Sequence, residues 1–318
     1  MKAKHVIIYL LLVIVTSSCI RDEAPNAEAD ILSCRLPGIT MTTSPIINNN
    51  SVTLFVTPGT NISALAPEFT LTSGATITPA SGTERNFNSP QEYQVTAADG
   101  IWKKTYAISV IDTELATIYN FEDTISGKKY YIFVERENDK VIMEWASGNA
   151  GYAMTGVAKT ADDYPTFQIA NGKNGKCLSL VTRSTGFFGG LVGMPIAAGN
   201  LFIGSFDVNN AMSNPLQATK FGLPFRHVPT YLAGYYKYKA GDQFTEGGKP
   251  VEGKRDICDI YAIMYETSVS VPTLDGTNAF TSPNLVSMAR IKDSKETDEW
   301  TYFKLPFTTL PGKFIDKE

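Results

Sequence analysis

No stretch of this chain carries apolar residues at helical spacing for longer than a turn or two; what recurs is alternation with a period of two. SVTLFVT (residues 51–57) sets Val52, Leu54 and Val56 against Thr53, Phe55 and Thr57, as in a strand with one buried face. Pro58-Gly59 then breaks the run. EYQVTAADGIWKKTYAISV (92–110) holds two alternating runs around Asp99-Gly100, a hairpin signal. Residues 31–112 therefore predict a small antiparallel β-sandwich. Asp112-Thr113-Glu114-Leu115 marks a boundary, after which Gly- and Asn-rich loops separate aromatic strands. KKYYIFVE, CLSLVTR, NLFIGSF, LAGYYKYKA, CDIYAIMYET and WTYFKLPF are the candidate strands there. Residues 113–318 read as a jelly-roll-like sandwich, which makes the fold class all-β with two sandwiches. A chain of 318 residues is long enough to bury two cores.

The N-terminus follows other rules. Lys2 and Lys4 precede an unbroken apolar run from Val6 to Val15, half the length a membrane-spanning helix needs. Thr16-Ser17-Ser18-Cys19 follows. The arrangement resembles a bacterial lipoprotein signal, which implies removal of residues 1–18 and acylation of Cys19. Acyl chains contribute about 0.8 kcal/mol per buried methylene, so several of them anchor durably in outer-membrane lipid. Residues 19–30, polar and acidic, read as a tether. An acidic segment directly after the lipid is similar to the surface-export signal of gut anaerobes that carry polysaccharide-utilisation systems. Cys34, Cys177 and Cys258 remain, an odd set that permits at most one internal disulfide and reads best as apolar thiols.

Composition excludes several classes. The net charge is −4 and no Lys/Arg cluster occurs, so nucleic acid is not an expected partner. Beyond the signal only His227 is left, which rules out a multi-histidine zinc site. His227 also lacks the GxSxG elbow of a serine hydrolase. Carboxylates are then the acid/base candidates, since glycoside hydrolysis needs two of them facing one bond. Glu122, Asp123, Glu144, Asp162, Asp163, Asp256 and Asp259 qualify, and the sequence does not pair them. No cofactor is implied. A structural calcium is the one ion such oxygen-rich loops could hold, and no DxDxDG loop specifies it.

EWASGNAGYAMTG (144–156) brackets a loop of small residues with Trp145 and Tyr152. Rings that stack on C–H faces, with Asn149 bonding hydroxyls, suit a carbohydrate. Replacing Trp145 or Tyr152 by Ala is expected to weaken glycan binding and leave the melting temperature nearly unchanged. In LAGYYKYKAGD, strand alternation sends Gly234, Tyr236 and Tyr238 one way, and Tyr235, Lys237 and Lys239 the other. The lysines mark the second face as wet, which leaves Tyr235 as a further ligand-binding candidate.

Two resemblances join these readings. Phe87, Pro90, Tyr93, Val95, Asp99, Gly100, Lys104 and Tyr106 are similar to the pattern of immunoglobulin-like domains that precede a functional domain in such lipoproteins. From Ile118 onward five blocks occur in family order: EWASGNAGYAMTG, DDYPTFQIANGKNGKCLSLVTR, PIAAGNLFIGSF, the PLQATKFGLPF to LAGYYKYKAGD run, and RDICDIYAIMYE. Together they resemble the putative carbohydrate metabolism domain. The resemblance implies a C-terminal jelly roll similar to carbohydrate-binding modules. The family's domain normally continues into further strands, whereas this sequence stops at GKFIDKE. Either a truncated product or a diverged ending is implied, with an unpaired sheet edge as the expected consequence of truncation. The reading that results is an outer-membrane, surface-facing lipoprotein that binds glycan or polysaccharide. A carbohydrate-active enzyme with paired carboxylates, and an adhesin or assembly subunit contacting protein, are the alternatives.

Overall fold

The computed structural model describes residues 25–191, 193–268 and 270–314, so Cys19 and the lipoprotein signal lie outside the described residues. The chain is nearly all-β. Among the described residues no helix is long and apolar enough to cross a membrane.

The first half contains β1 (Ile31–Arg35), β2 (Ile46–Ile47), β3 (Ser51–Phe55), β4 (Glu68–Leu71), β5 (Thr76–Thr78), β6 (Gln91–Thr96) and β7 (Lys103–Ile111). β1 pairs with β4, and the other five form one sheet in the order β2-β3-β7-β6-β5. Val52, Leu54, Val95, Ile108 and Val110 are buried between the two sheets with Phe87, Tyr93 and Tyr106. The Asp99-Gly100 hairpin forms: Gly100 has φ +70°, and Asp99 Oδ1 accepts from the amides of Ile101 and Trp102.

One pairing departs from the antiparallel expectation. β3 and β7 run parallel, with Ser51 opposite Ala107 and Phe55 opposite Ile111. Hairpin signals report only neighbours in sequence, and this contact joins strands some fifty residues apart.

The second half begins with the hairpin β8 (Val134–Glu137) and β9 (Lys140–Glu144), then a short helix Asn149–Ala153. β10 (Thr166–Ile169) pairs with β11 (Cys177–Leu180), and β12 (Arg183–Ser184) with β13 (Ile196–Ala197) around a helix Gly186–Leu191. β14 (Gly204–Phe206) pairs with β15 (Thr219–Phe221). After β16 (Tyr231–Tyr238), β17 (Thr245–Glu246) and β18 (Lys249–Pro250) form a small hairpin. β19 (Tyr261–Tyr265), β20 (Leu285–Arg290) and β22 (Thr308–Thr309) make a three-stranded sheet, in the order β19-β20-β22. β21 (Thr297–Pro306) returns to pair with β16. Phe133, Met143, Tyr164, Leu274, Leu285 and Ala289 are among the buried residues of this half.

The three cysteines are free. Cys34 is buried, and burial pushes its thiol pKa up to about 12. Cys177 and Cys258 are only half-buried, so the buried-thiol expectation holds fully for Cys34 alone.

Candidate functional site

Residues 144–156 do not form an open loop. Asn149 is 0 % exposed and both ends of its amide bond the backbone of Thr166. Nδ2 donates to the Thr166 carbonyl at 2.7 Å, and Oδ1 accepts from the Thr166 amide at 3.1 Å. Tyr152 is 5 % exposed; its hydroxyl donates to the Ser184 carbonyl at 2.8 Å and its ring meets Tyr164 edge-on. The small residues serve packing: a Cβ on Gly151 would stand 3.2 Å from the Phe206 ring. Asn149 and Tyr152, expected at the ligand, are therefore interior groups.

Trp145 is half-buried in an aromatic cluster. Tyr119 meets it edge-on at 5.0 Å and Phe121 lies tilted at 5.5 Å. Its Nε1 donates to Glu135 Oε1 at 2.8 Å. Burial raises the Glu135 pKa, the Trp145 bond opposes that, and the charge of Asp123 adds to the rise. Glu144 is exposed to solvent. The surrounding protein pushes its carboxyl up, against Lys128. Val134 opposes Glu144 and Glu135 opposes Met143 across the hairpin. Glu135 and Glu144 thus point to opposite faces and cannot act on one bond.

Most of the remaining carboxylates are tied up locally, the exceptions being Asp123, whose charge acts on Glu135, and Asp256. Glu122 accepts from the Lys176 amide at 3.0 Å. Asp162 accepts from the Tyr131 hydroxyl at 3.0 Å. Asp163 accepts from the amides of Thr160 and Lys159, which hold its pKa below the usual range. Asp259 pairs with Arg290 through both oxygens. Asp256 lies close enough to help raise the Tyr238 hydroxyl pKa, which burial chiefly pushes up to about 12. His227 Nε2 lies 2.8 Å from Glu114 Oε2, where the two halves of the chain adjoin. Among the described residues, no group of three His, Cys, Asp or Glu side chains is placed to hold a metal.

Among the described residues, three of the eight exposed aromatic side chains, Tyr231, Tyr235 and Tyr302, lie on the sheet of β16 and β21, while Trp102, Phe187, Phe188, Phe280 and Phe314 lie elsewhere. Exposure alternates strictly along β16: Tyr231, Ala233, Tyr235 and Lys237 face out, while Leu232, Gly234, Tyr236 and Tyr238 are half-buried. Gly234 opposes Phe303, and a Cβ there would stand 2.9 Å from that ring, so the inward face requires a glycine at this position. On the outward face Tyr235 opposes Tyr302, with ring centroids 5.2 Å apart. Tyr231, Tyr235 and Tyr302 are 53 %, 47 % and 55 % exposed. Trp300 continues the strip, half-buried under Lys237. The loop between β10 and β11 borders it, with Lys173 Nζ 4.3 Å from the Tyr235 ring centre. Such a strip offers flat apolar faces edged by hydrogen-bond donors, a surface on which a sugar ring can lie.

Of the four predicted ligand residues, the structure leaves Tyr235 on an open face and brings none of the other three to it. Sequence reading missed Tyr302, Trp300 and Lys173. The alternation in WTYFKLPF already set Trp300, Tyr302 and Lys304 on one side. What it lacked was the partner, because β21 begins almost sixty residues after β16 ends.

Comparison with known proteins adds the following. The profile of the putative carbohydrate metabolism domain matches residues 120–318, and that described as SGBP, N-terminal, matches residues 31–110. The chain is similar to a solved structure described as a putative glycoside hydrolase from Bacteroides thetaiotaomicron. They share 84 % identity over 93 % of this chain and 87 % of that one, with a TM-score of 0.90. A second similar structure, described as a putative glycoside hydrolase from Bacteroides vulgatus, is 48 % identical. It covers 63 % of this chain and 81 % of its own, with a TM-score of 0.58. No curated protein matches.

Proposed function

Because the chain belongs to the putative carbohydrate metabolism domain family, we propose that it is a cell-envelope lipoprotein that binds glycan without cleaving it, on the outward face of β16 and β21. The observation that carries this reading is the exposed row of Tyr231, Tyr235 and Tyr302 on one sheet face. Apolar patches exposed on a protein surface commonly mark interaction sites. Acylation at Cys19 would hold the protein in the outer membrane, with the first sandwich as a spacer. The descriptions of the two Bacteroides relatives support a role in carbohydrate metabolism.

Affinity electrophoresis through gels containing polysaccharides tests the site. Tyr235→Ala with Tyr302→Ala should weaken retardation severalfold to about a hundredfold, because each ring contributes about 0.5–1.5 kcal/mol of stacking. Both side chains are exposed, so the melting temperature should hardly move. Retardation equal to the wild type would remove the site from this face.

One observation favours an enzyme instead. Glu135 is desolvated, its pKa is raised, and the charge of Asp123 is near, features that suit a general acid. Release of reducing ends by the wild type, lost in Glu135→Gln, would establish that reading over simple binding.

A further inference from the structure

We propose that the face formed by β16 and β21 selects acidic polysaccharide, whose sugars bear carboxylate or sulfate groups. This inference rests on the reading of that face as the glycan site.

Every ring of the strip but Tyr302 has a lysine above it. Lys304 Nζ lies 4.1 Å from the Tyr231 ring centre, Lys173 Nζ 4.3 Å from that of Tyr235, and Lys237 Nζ 5.4 Å from that of Trp300. All three lysines are exposed, and among the described residues none lies within ion-pair distance of a carboxylate. Three acids lie nearby, none of them paired with these lysines. Glu122, close enough to Lys237 for both to act on Cys177, accepts the Lys176 amide. Asp298 and Glu299 occupy the irregular end of the ladder between Tyr236 and Tyr238.

These unpaired ammonium groups stand on a chain with a net charge of −4. Global charge repels a polyanion, so attraction to one would have to come from unpaired ammonium groups placed along one strip. Cations that rest on rings are held by the ring quadrupole and need no anion to position them. When a sugar lies along the strip, the flexible lysine stems can swing off the ring faces and keep their charge beside them. The rings would then take the C–H faces, while the ammonium groups take the anionic substituents. From Tyr231 to Lys237 the strip runs six residue steps, roughly 20 Å of strand, room for several linked sugars.

The test is affinity electrophoresis in about 0.15 M salt with polygalacturonate, alginate and chondroitin sulfate, against methyl-esterified pectin and xylan as neutral controls. The expected result is binding to at least one acidic polymer, with at least tenfold weaker binding to its neutral counterpart. Combining Lys173→Gln, Lys237→Gln and Lys304→Gln should weaken that binding about tenfold, as should raising the salt to about 1 M. Separate uronate and sulfate arms show which anion is preferred. Unchanged melting of the triple variant keeps its result interpretable, and Lys304→Glu provides a second, single-site check. If neutral polymers bind as tightly and the lysine variants lose nothing, the acidic preference is wrong while the aromatic face stands. If no polymer binds, both readings fall.

Discussion

Asn149 shows how a residue type suited to sugar recognition can be claimed by the fold. Its amide offers a donor and an acceptor at the spacing of a peptide group, and the structure applies both to Thr166 in a site closed to solvent. Removing the side chain would strand the Thr166 amide and carbonyl without partners, a cost of about 2–3 kcal/mol. Asn149→Ala should therefore lower the melting temperature of the second half by about 4–12 °C. Calorimetry checks this. A variant that melts with the wild type would mean that the buried bonds do not hold this segment. Tyr235 is the opposite case: half its surface is open, and its inward-facing neighbour Tyr236 does the packing against Phe303. Sequence separated those two neighbours because the lysines of LAGYYKYKAGD fixed which face was wet. No such marker existed for Tyr152, whose burial depends on Tyr164 and Ser184, residues with no periodic relation to it.

Elements were legible where partners adjoin in sequence and illegible where they do not. The β6–β7 hairpin could be read from Asp99-Gly100, and Phe87, Tyr93, Val95 and Tyr106 all entered the core. The parallel β3–β7 contact and the β16–β21 pairing could not, since loop closure over long separations leaves no local mark. At the lip of the first sandwich, Asp30 is fastened to β7 by Lys104 Nζ at 2.5 Å and by the Tyr106 hydroxyl at 2.9 Å. The same hydroxyl accepts the Ile31 amide at 3.3 Å, at the start of β1. The Lys104 bond, joined by that from Tyr106, holds the Asp30 carboxyl below its ordinary pKa of 3.8 against the effect of burial. A depressed carboxylate stabilises the fold above its unfolded pKa and loses that contribution as pH falls through the folded value. Lys104 runs the other way. Burial works to lower its pKa, but its partners raise it, so its contribution is present below 10.5 and lost as pH rises through the folded value. Asp30→Asn should therefore melt a few degrees below the wild type at pH 7, and the gap should close as the pH is taken below about 4. Both side chains are partly exposed, so solvent screening keeps the effect to about 1 kcal/mol or less. A gap that persists undiminished at low pH would assign the loss to packing rather than to the ion pair.

Over the whole molecule, the first sandwich has a continuous core and little exposed chemistry, whereas the second half consists of short ladders with exposed aromatic residues. Between them, Asp112 pairs with Lys140 at 2.6 Å and Glu114 with His227, so the connecting segment is fastened to the second half. This division suits a spacer that carries a binding face. The membership of the family was legible from five ordered blocks, yet the site was not, because those blocks mark packing positions such as Asn149 and Tyr152 as well as surface ones. Hydroxyl-radical footprinting of the intact chain, with and without a saturating acidic polysaccharide, tests the central claim directly. Oxidation of Tyr231, Tyr235 and Tyr302 should fall severalfold on binding, while Tyr119 and Trp145 keep their unbound rates. Protection confined to Tyr119 and Trp145, with the three tyrosines of the sheet face unchanged, would contradict it.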